Sequence, residues 1–129
     1  MRAVDTNVLV RLITRDDPRQ TDAAERFVAQ GAWVSHLVLV EATWVLNAVY
    51  DVSPEGVAAA IDMLLDHVHL RVQDAETVAV ALEHFRRRPS LGFSDCLVLE
   101  VARRAGHLPL GTFDRTLARL EGSVRADQG

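Results

Sequence analysis

The sequence contains no lysine; all fourteen of its basic residues are arginine. That absence removes any mechanism built on a lysine ammonium. It excludes the phosphoacceptor receiver domains, which share this size and gather acids at strand ends but need a lysine beside the phosphoryl group. Cysteine is nearly absent as well. Cys96 stands alone, so no internal disulfide can form and a cytoplasmic location is expected. No apolar run approaches the roughly 18–20 residues that span a bilayer, so no membrane association is expected. The N-terminus has no basic stretch followed by an uninterrupted apolar segment, and no signal peptide is expected. No G-x-G-x-x-G follows the first strand signal, which excludes the dinucleotide-binding fingerprint. Internal repeats, linkers and low-complexity segments are also missing. A formal net charge of −4 argues against coating nucleic acid by bulk attraction, while leaving room for local handling of it.

What is present suits one globular domain. The chain has 129 residues, 49% apolar and 25% charged, enough for a single core over residues 1–129, with 127–129 expected as a frayed tail. Met1 to Thr14 (MRAVDTNVLVRLIT) opens on a short apolar run that stops at Asp5. This predicts a buried strand that delivers a carboxylate to its C-terminal end, with a helix starting at once. Asp5 can be read as a helix cap or as a ligand, because in open α/β sheets ligands bind outside the carboxyl ends of the strands.

The rest of the chain alternates. A helix from about Pro18 to Gln30 leads to a strand at 32–35 and then to an almost wholly apolar segment, LVLVEATWVLNAVY, from Leu37. A helix apolar around most of its circumference is expected to be buried, with Trp44 in the core; Trp33, on the preceding strand, is expected there too. Ser53-Pro54 starts another helix, and Val68 to Val72 alternates as a strand with Val68, Leu70 and Val72 inward. Asp74 is expected to cap a helix that ends at Arg86-Arg87-Arg88, and Ser94 to cap one that runs to Gly106. A strand at 109–112, a short helix opened by Asp114 and an edge strand at 123–125 complete the pattern. Strands separated by helices predict an α/β fold of three layers, with a central parallel sheet of four or five strands flanked by helices.

Four acids stand out within this pattern: Asp5, Glu41, Asp95 and Asp114. In a parallel layout all strand-to-helix junctions lie on one edge of the sheet, so the four should converge at one rim. Asp95 and Asp114 each have an alternative reading, as a first-turn acid and a helix cap. Glu41, lone among Val40, Ala42, Trp44 and Val45, has few structural reasons to be there. A buried carboxylate must be paired, protonated or bound to a metal. Crowded carboxylates need a counter-charge, and oxygen donors without Cys or His favour Mg²⁺ or Mn²⁺.

The residues DTNVLVR at 5–11, the Glu in LVLVEATWVL at 37–46, FSDCLVLEVAR at 93–103 and GTFDR at 111–115 resemble the PIN domain family, and in length and order the VapC-type toxins. The resemblance runs from Ala3 to about Arg125. It implies a metal-dependent endoribonuclease, a hydrolase using Mg²⁺ or Mn²⁺, with catalytic and metal-binding acids at Asp5, Glu41, Asp95 and Asp114. Thr6, Asn7 and Thr112 match the small polar positions beside those acids. The resemblance further implies an RNA substrate, a homodimer, and an antitoxin whose Arg-bearing C-terminal segment covers the site. Arg86, Arg87 and Arg88 read first as a solvated helix end and second as an RNA contact. The five histidines show no metal-binding spacing. The competing reading is a PIN-like module that binds RNA or protein without catalysis.

Overall fold

The computed structural model describes residues 1–128 and forms two compact units, Met1–Ala75 and Glu76–Gly129. In the first, β1 (Arg2–Ala3), β2 (Ala32–Val34) and β3 (Leu70–Val72) make a parallel sheet in that order. Arg2 and Ala3 face Ala32 and Trp33, which in turn face Leu70 and Arg71. Each connection is helical: α1 (Thr6–Thr14) and α2 (Pro18–Val28) after β1, then α3 (His36–Ala48) and α4 (Pro54–Asp66) after β2.

Local chemistry starts these helices where the sequence places them. Asp5, Asp17, Ser35 and Ser53 each hold extended backbone and accept a hydrogen bond from a backbone N–H three residues on, satisfying one of the orphan donors of a first turn. Pro18 and Pro54 occupy the first turns of α2 and α4, where a missing N–H costs nothing. Leu9, Val34, Leu39, Leu46, Ile61 and Leu64 are buried, each with at most 1% of its surface exposed, and form the apolar core of this unit.

The second unit contains α5 (Ala75–Arg87), α6 (Phe93–Ala105), β4 (Leu110–Thr112), a 3-10 helix (Leu117–Arg119) and β5 (Ser123–Arg125). Val78, Ala81, Leu82 and Phe85 of α5 and Cys96, Leu97 and Leu99 of α6 are buried. Phe85 and Phe93 meet edge to face at 6.2 Å, a favoured arrangement of their quadrupoles. β4 and β5 pair in parallel, Leu110 with Ser123 and Thr112 with Arg125.

Among the described residues all five strands pair in parallel, as expected, but they fall into two sheets, of three and two strands, rather than one. Other expectations need correction. Val68 is 86% exposed: the His69 N–H donates to His67 Nδ1 and the Leu70 N–H to the His67 carbonyl, so a turn occupies 67–69 and the strand begins at Leu70. Asp74 does not cap α5; it takes a left-handed φ of 43°. Ser94 lies inside α6, whose N-cap is Gly92 with no side-chain bond. Trp33 and Trp44 are 37% and 64% exposed. Alternation along β2 buries Ala32 and Val34 and turns Trp33 outward, while α3 buries Leu39, Ala42, Thr43 and Leu46 and leaves Trp44 on the opposite side. At the C-terminus, Asp127 pairs with Arg125 at 2.7 Å and the Gln128 N–H donates to the Arg125 carbonyl; Gly129, the last residue of the expected frayed tail, lies outside the described residues.

Candidate metal centre and acidic residues

Asp5 lies two residues past β1, whose Arg2 and Ala3 are exposed where a buried strand was expected, and caps α1, accepting the Val8 N–H on Oδ1 at 3.2 Å. Its second carboxylate oxygen has no protein partner among the described residues. Thr6 is buried at the start of α1 and Asn7 is exposed beside it. The register of β1 on β2 brings Asp5 and Ser35 level, each two residues past a paired strand residue, so α1 and α3 start from one edge of the sheet. Glu41 lies six residues beyond Ser35, roughly 9 Å along the helix axis.

Glu41 is exposed, which corrects the expectation of a buried carboxylate. Its neighbours on the same face, Leu37 and Trp44, are 84% and 64% exposed. The acid therefore stands in an apolar surface stripe, at i, i+4 and i+7. The sequence could not reveal this, because a helix apolar on every side gives no periodicity to say which side is covered.

In the second unit the structure couples two acids. Asp95, in the first turn of α6, is only partly exposed; burial pushes its carboxyl pKa up, and the negative charge of Asp114 pushes it further. Asp114 Oδ1 accepts the N–H groups of Thr116 and Leu117 at 2.8 and 2.9 Å, so this acid closes the turn before the 3-10 helix, whose N-cap is Thr116, while its other oxygen has no protein partner among the described residues. Thr112 Oγ1 accepts the Asp114 N–H at 3.0 Å, which fixes the turn after β4. Next to Asp95, the buried Cys96 thiol is pushed up to about 11 by burial first, then by Asp95 and Glu100, so it stays protonated and unreactive at neutral pH.

Asp5 and Glu41 thus belong to the first unit and Asp95 and Asp114 to the second. Among the described residues, no three His, Cys, Asp or Glu side chains are gathered closely enough to hold a metal ion. The donor chemistry nonetheless suits a hard divalent cation: every candidate donor is a carboxylate oxygen, and a cation would relieve the repulsion that raises Asp95.

The PIN domain family model matches residues 2–123. The chain belongs to the PIN domain family. The match runs through both units and takes in all four acids. No curated protein matches the sequence. Among solved structures the chain is similar to Mycobacterium tuberculosis VapC20, described as a Sarcin-Ricin loop cleaving toxin, at 23% identity over 88% of each chain with a TM-score of 0.43.

Three features of this PIN domain are absent from the sequence reading. One is the apolar stripe around Glu41. A second is a buried ion network on α6, where Glu100, 5% exposed, meets His84 Nε2 at 3.1 Å and Arg103 Nε at 3.2 Å. The third is a cleft lined by arginines near the C-terminus. The i, i+3 spacing of Glu100 and Arg103 was the available signal for the second. Arg86, Arg87 and Arg88 are all exposed at the end of α5, and Arg86 stands 4.0 Å from Glu83.

Proposed function

We infer that the chain is a metal-dependent endoribonuclease, the toxin of a type II toxin–antitoxin pair, acting in the cytoplasm as one nuclease domain over residues 1–129. Membership of the PIN family supports the nuclease class. The observation that carries the site is the Asp95–Asp114 pair: two carboxylates close enough for one to raise the other's pKa, on residues that match the family's acidic motifs.

Asp5, Glu41, Asp95 and Asp114 would hold Mg²⁺ or Mn²⁺, with Thr6, Asn7 and Thr112 alongside. When bound, such an ion neutralises phosphate charge and acidifies an attacking water. The side chains contribute orientation. Backbone N–H bonds to Oδ1 fix the carboxylates of Asp5 and Asp114 and leave their second oxygens for a ligand, and Thr112 holds the turn that carries Asp114.

The partner reading is an antitoxin whose C-terminal segment brings an arginine to the acids, since a guanidinium fork pairs bidentately with carboxylate. Leu37 and Trp44, exposed on either side of Glu41, supply apolar surface of the kind such a segment would cover. The active protein is proposed as a homodimer.

The test is RNA cleavage by the purified chain with Mg²⁺ or Mn²⁺, with EDTA, and with Asp95→Asn. Metal-dependent cleavage lost in the variant is the expected result, together with growth arrest when the chain is expressed alone. No cleavage and no growth arrest would sink this reading. It would favour a PIN module that binds RNA or protein without catalysis, a reading supported by the absence of any three-acid group among the described residues.

A further inference from the structure

The cleft near the C-terminus encloses about 390 Å³ and is lined by Arg115, Arg119, Ser123, Arg125 and Gln128 among others, with no acidic side chain in its wall. In a chain of net charge −4, a concavity whose only charged walls are cationic creates a local field opposite to that of the whole molecule. Arg115 and Arg119 make no ion pair among the described residues. Arg125 reaches Asp127 through Nη2 at 2.7 Å.

Two further atoms in the same wall lack partners. Ser123 Oγ and Arg125 Nε are buried and make no hydrogen bond among the described residues. Buried polar groups are nearly always paired, and an unpaired one calls for an explanation. Both can donate, and Nε–H can only donate, so an acceptor is the missing partner. A bidentate, planar set of donors on arginine suits phosphate oxygens.

The place of the cleft in the fold ties it to the acids. Arg115 follows Asp114 in sequence, and Arg119 ends the 3-10 helix whose first residue, Leu117, donates its N–H to Asp114. Arg125 pairs in register with Thr112. The arginines thus sit on the segments that follow Asp114 and on the strand paired with the one that precedes it.

We propose that this cleft is a binding subsite for the backbone phosphates of RNA, built on the elements that flank Asp114 and separate from Arg86–Arg88. The identity of the nucleic acid rests on the nuclease reading above; the anion chemistry does not. Phosphate contacts position a strand without reading its bases, so the subsite sets affinity and register rather than sequence preference.

The test measures binding of a fluorescent single-stranded RNA by the full chain in EDTA, where nothing is cut, across a range of KCl concentrations. Arg115→Ala/Arg119→Ala should weaken binding and reduce the log–log salt slope by roughly 1.4, the loss of two phosphate contacts at about 0.7 each. Arg115→Lys/Arg119→Lys should keep most of the slope, because charge is retained. The charge-matched control Arg19→Ala/Arg26→Ala, on α2, should leave the slope close to wild type. Equal far-UV circular dichroism and melting temperature confirm that each variant is folded; these arginines are exposed, so folding should survive. An unchanged slope in the cleft variant overturns the proposal, as does an equal loss in the control. Inorganic phosphate is the second probe. If it raises the melting temperature of wild type but not of the cleft variant, while RNA affinity is the same in both, the cleft serves a free anion and the RNA assignment fails. Wild type that binds RNA through the cleft yet never cuts it sinks the nuclease reading alone.

Discussion

Asp95 holds its charge at a disadvantage, and that makes it testable without substrate. Burial and then Asp114 raise its folded-state pKa above the ordinary carboxyl value. A carboxyl raised in the folded state binds protons there that the unfolded chain has already released. Its contribution to stability therefore falls as pH rises from the ordinary carboxyl pKa to the raised one, and stays low above that. Asp95→Asn removes the group, so the variant should melt higher than wild type at neutral pH. The gain should vanish as pH falls through the ordinary carboxyl range, measured by calorimetry without metal. A variant that melts lower at neutral pH would mean that Asp95 stabilises the fold by contacts that outweigh its charge. At this scale the sequence was most legible where a side chain acts on its own neighbourhood. Asp5 as the cap of α1 and Asp114 as acceptor of the Leu117 N–H follow from residues three positions away. The exposure of Glu41 and Trp44 does not follow, because it depends on which side of α3 the rest of the chain covers.

Between elements of the second unit, Arg103 joins two segments. It reaches Glu100 through Nε at 3.2 Å, and its Nη2 donates to the Glu121 carbonyl at 2.6 Å. Gly122 makes that approach possible: a Cβ there would stand 2.9 Å from the guanidinium, and the backbone φ of 96° suits glycine. Arg103 thus fastens α6, which carries Asp95, to the segment between β4 and β5, which carries Asp114. Arg103→Met would leave Glu100 buried with His84 alone. Breaking a buried pair costs about 3–5 kcal/mol; Arg103 is partly exposed and His84 remains, so about 2 kcal/mol is expected, or a fall of roughly 8 °C in Tm. Arg104→Met should cost less than about 0.5 kcal/mol, because the Arg104–Glu76 pair at 3.8 Å is exposed on both sides. Equal losses in the two variants would remove the special role of Arg103. The cap signals at Asp74 and Ser94 mislead, whereas the Pro and Ser signals that open α2 and α4 and the positions of the strands, to within two residues, were legible. How strands divide between sheets was not, since pairing of β4 with β5 is a non-local choice that no window of sequence encodes.

For the molecule as a whole, the expected effect of a divalent cation is stabilisation. A ligand that binds only the folded state adds about 2.7 kcal/mol when present at a hundredfold its dissociation constant. Titrating Mn²⁺ should therefore raise the Tm of wild type and leave Asp95→Asn unmoved; a flat wild-type titration would argue against a resident metal. The overall fold class was legible because alternation of strands and helices is written along the whole chain, whereas whether acids from distant segments meet is not. One feature already described carries over to selection. At position 5 a single carboxylate both starts α1 and leaves an oxygen free, so two kinds of survivor separate there. A library sorted for folded protein would accept Ser, Thr or Asn, which cap nearly as well. A library grown with the chain expressed alone would enrich those same residues if the chain is lethal, since each keeps the helix and loses the charge. Position 5 would then be tolerant by folding and intolerant by killing, the mark of a residue whose structural role can be replaced and whose chemical role cannot.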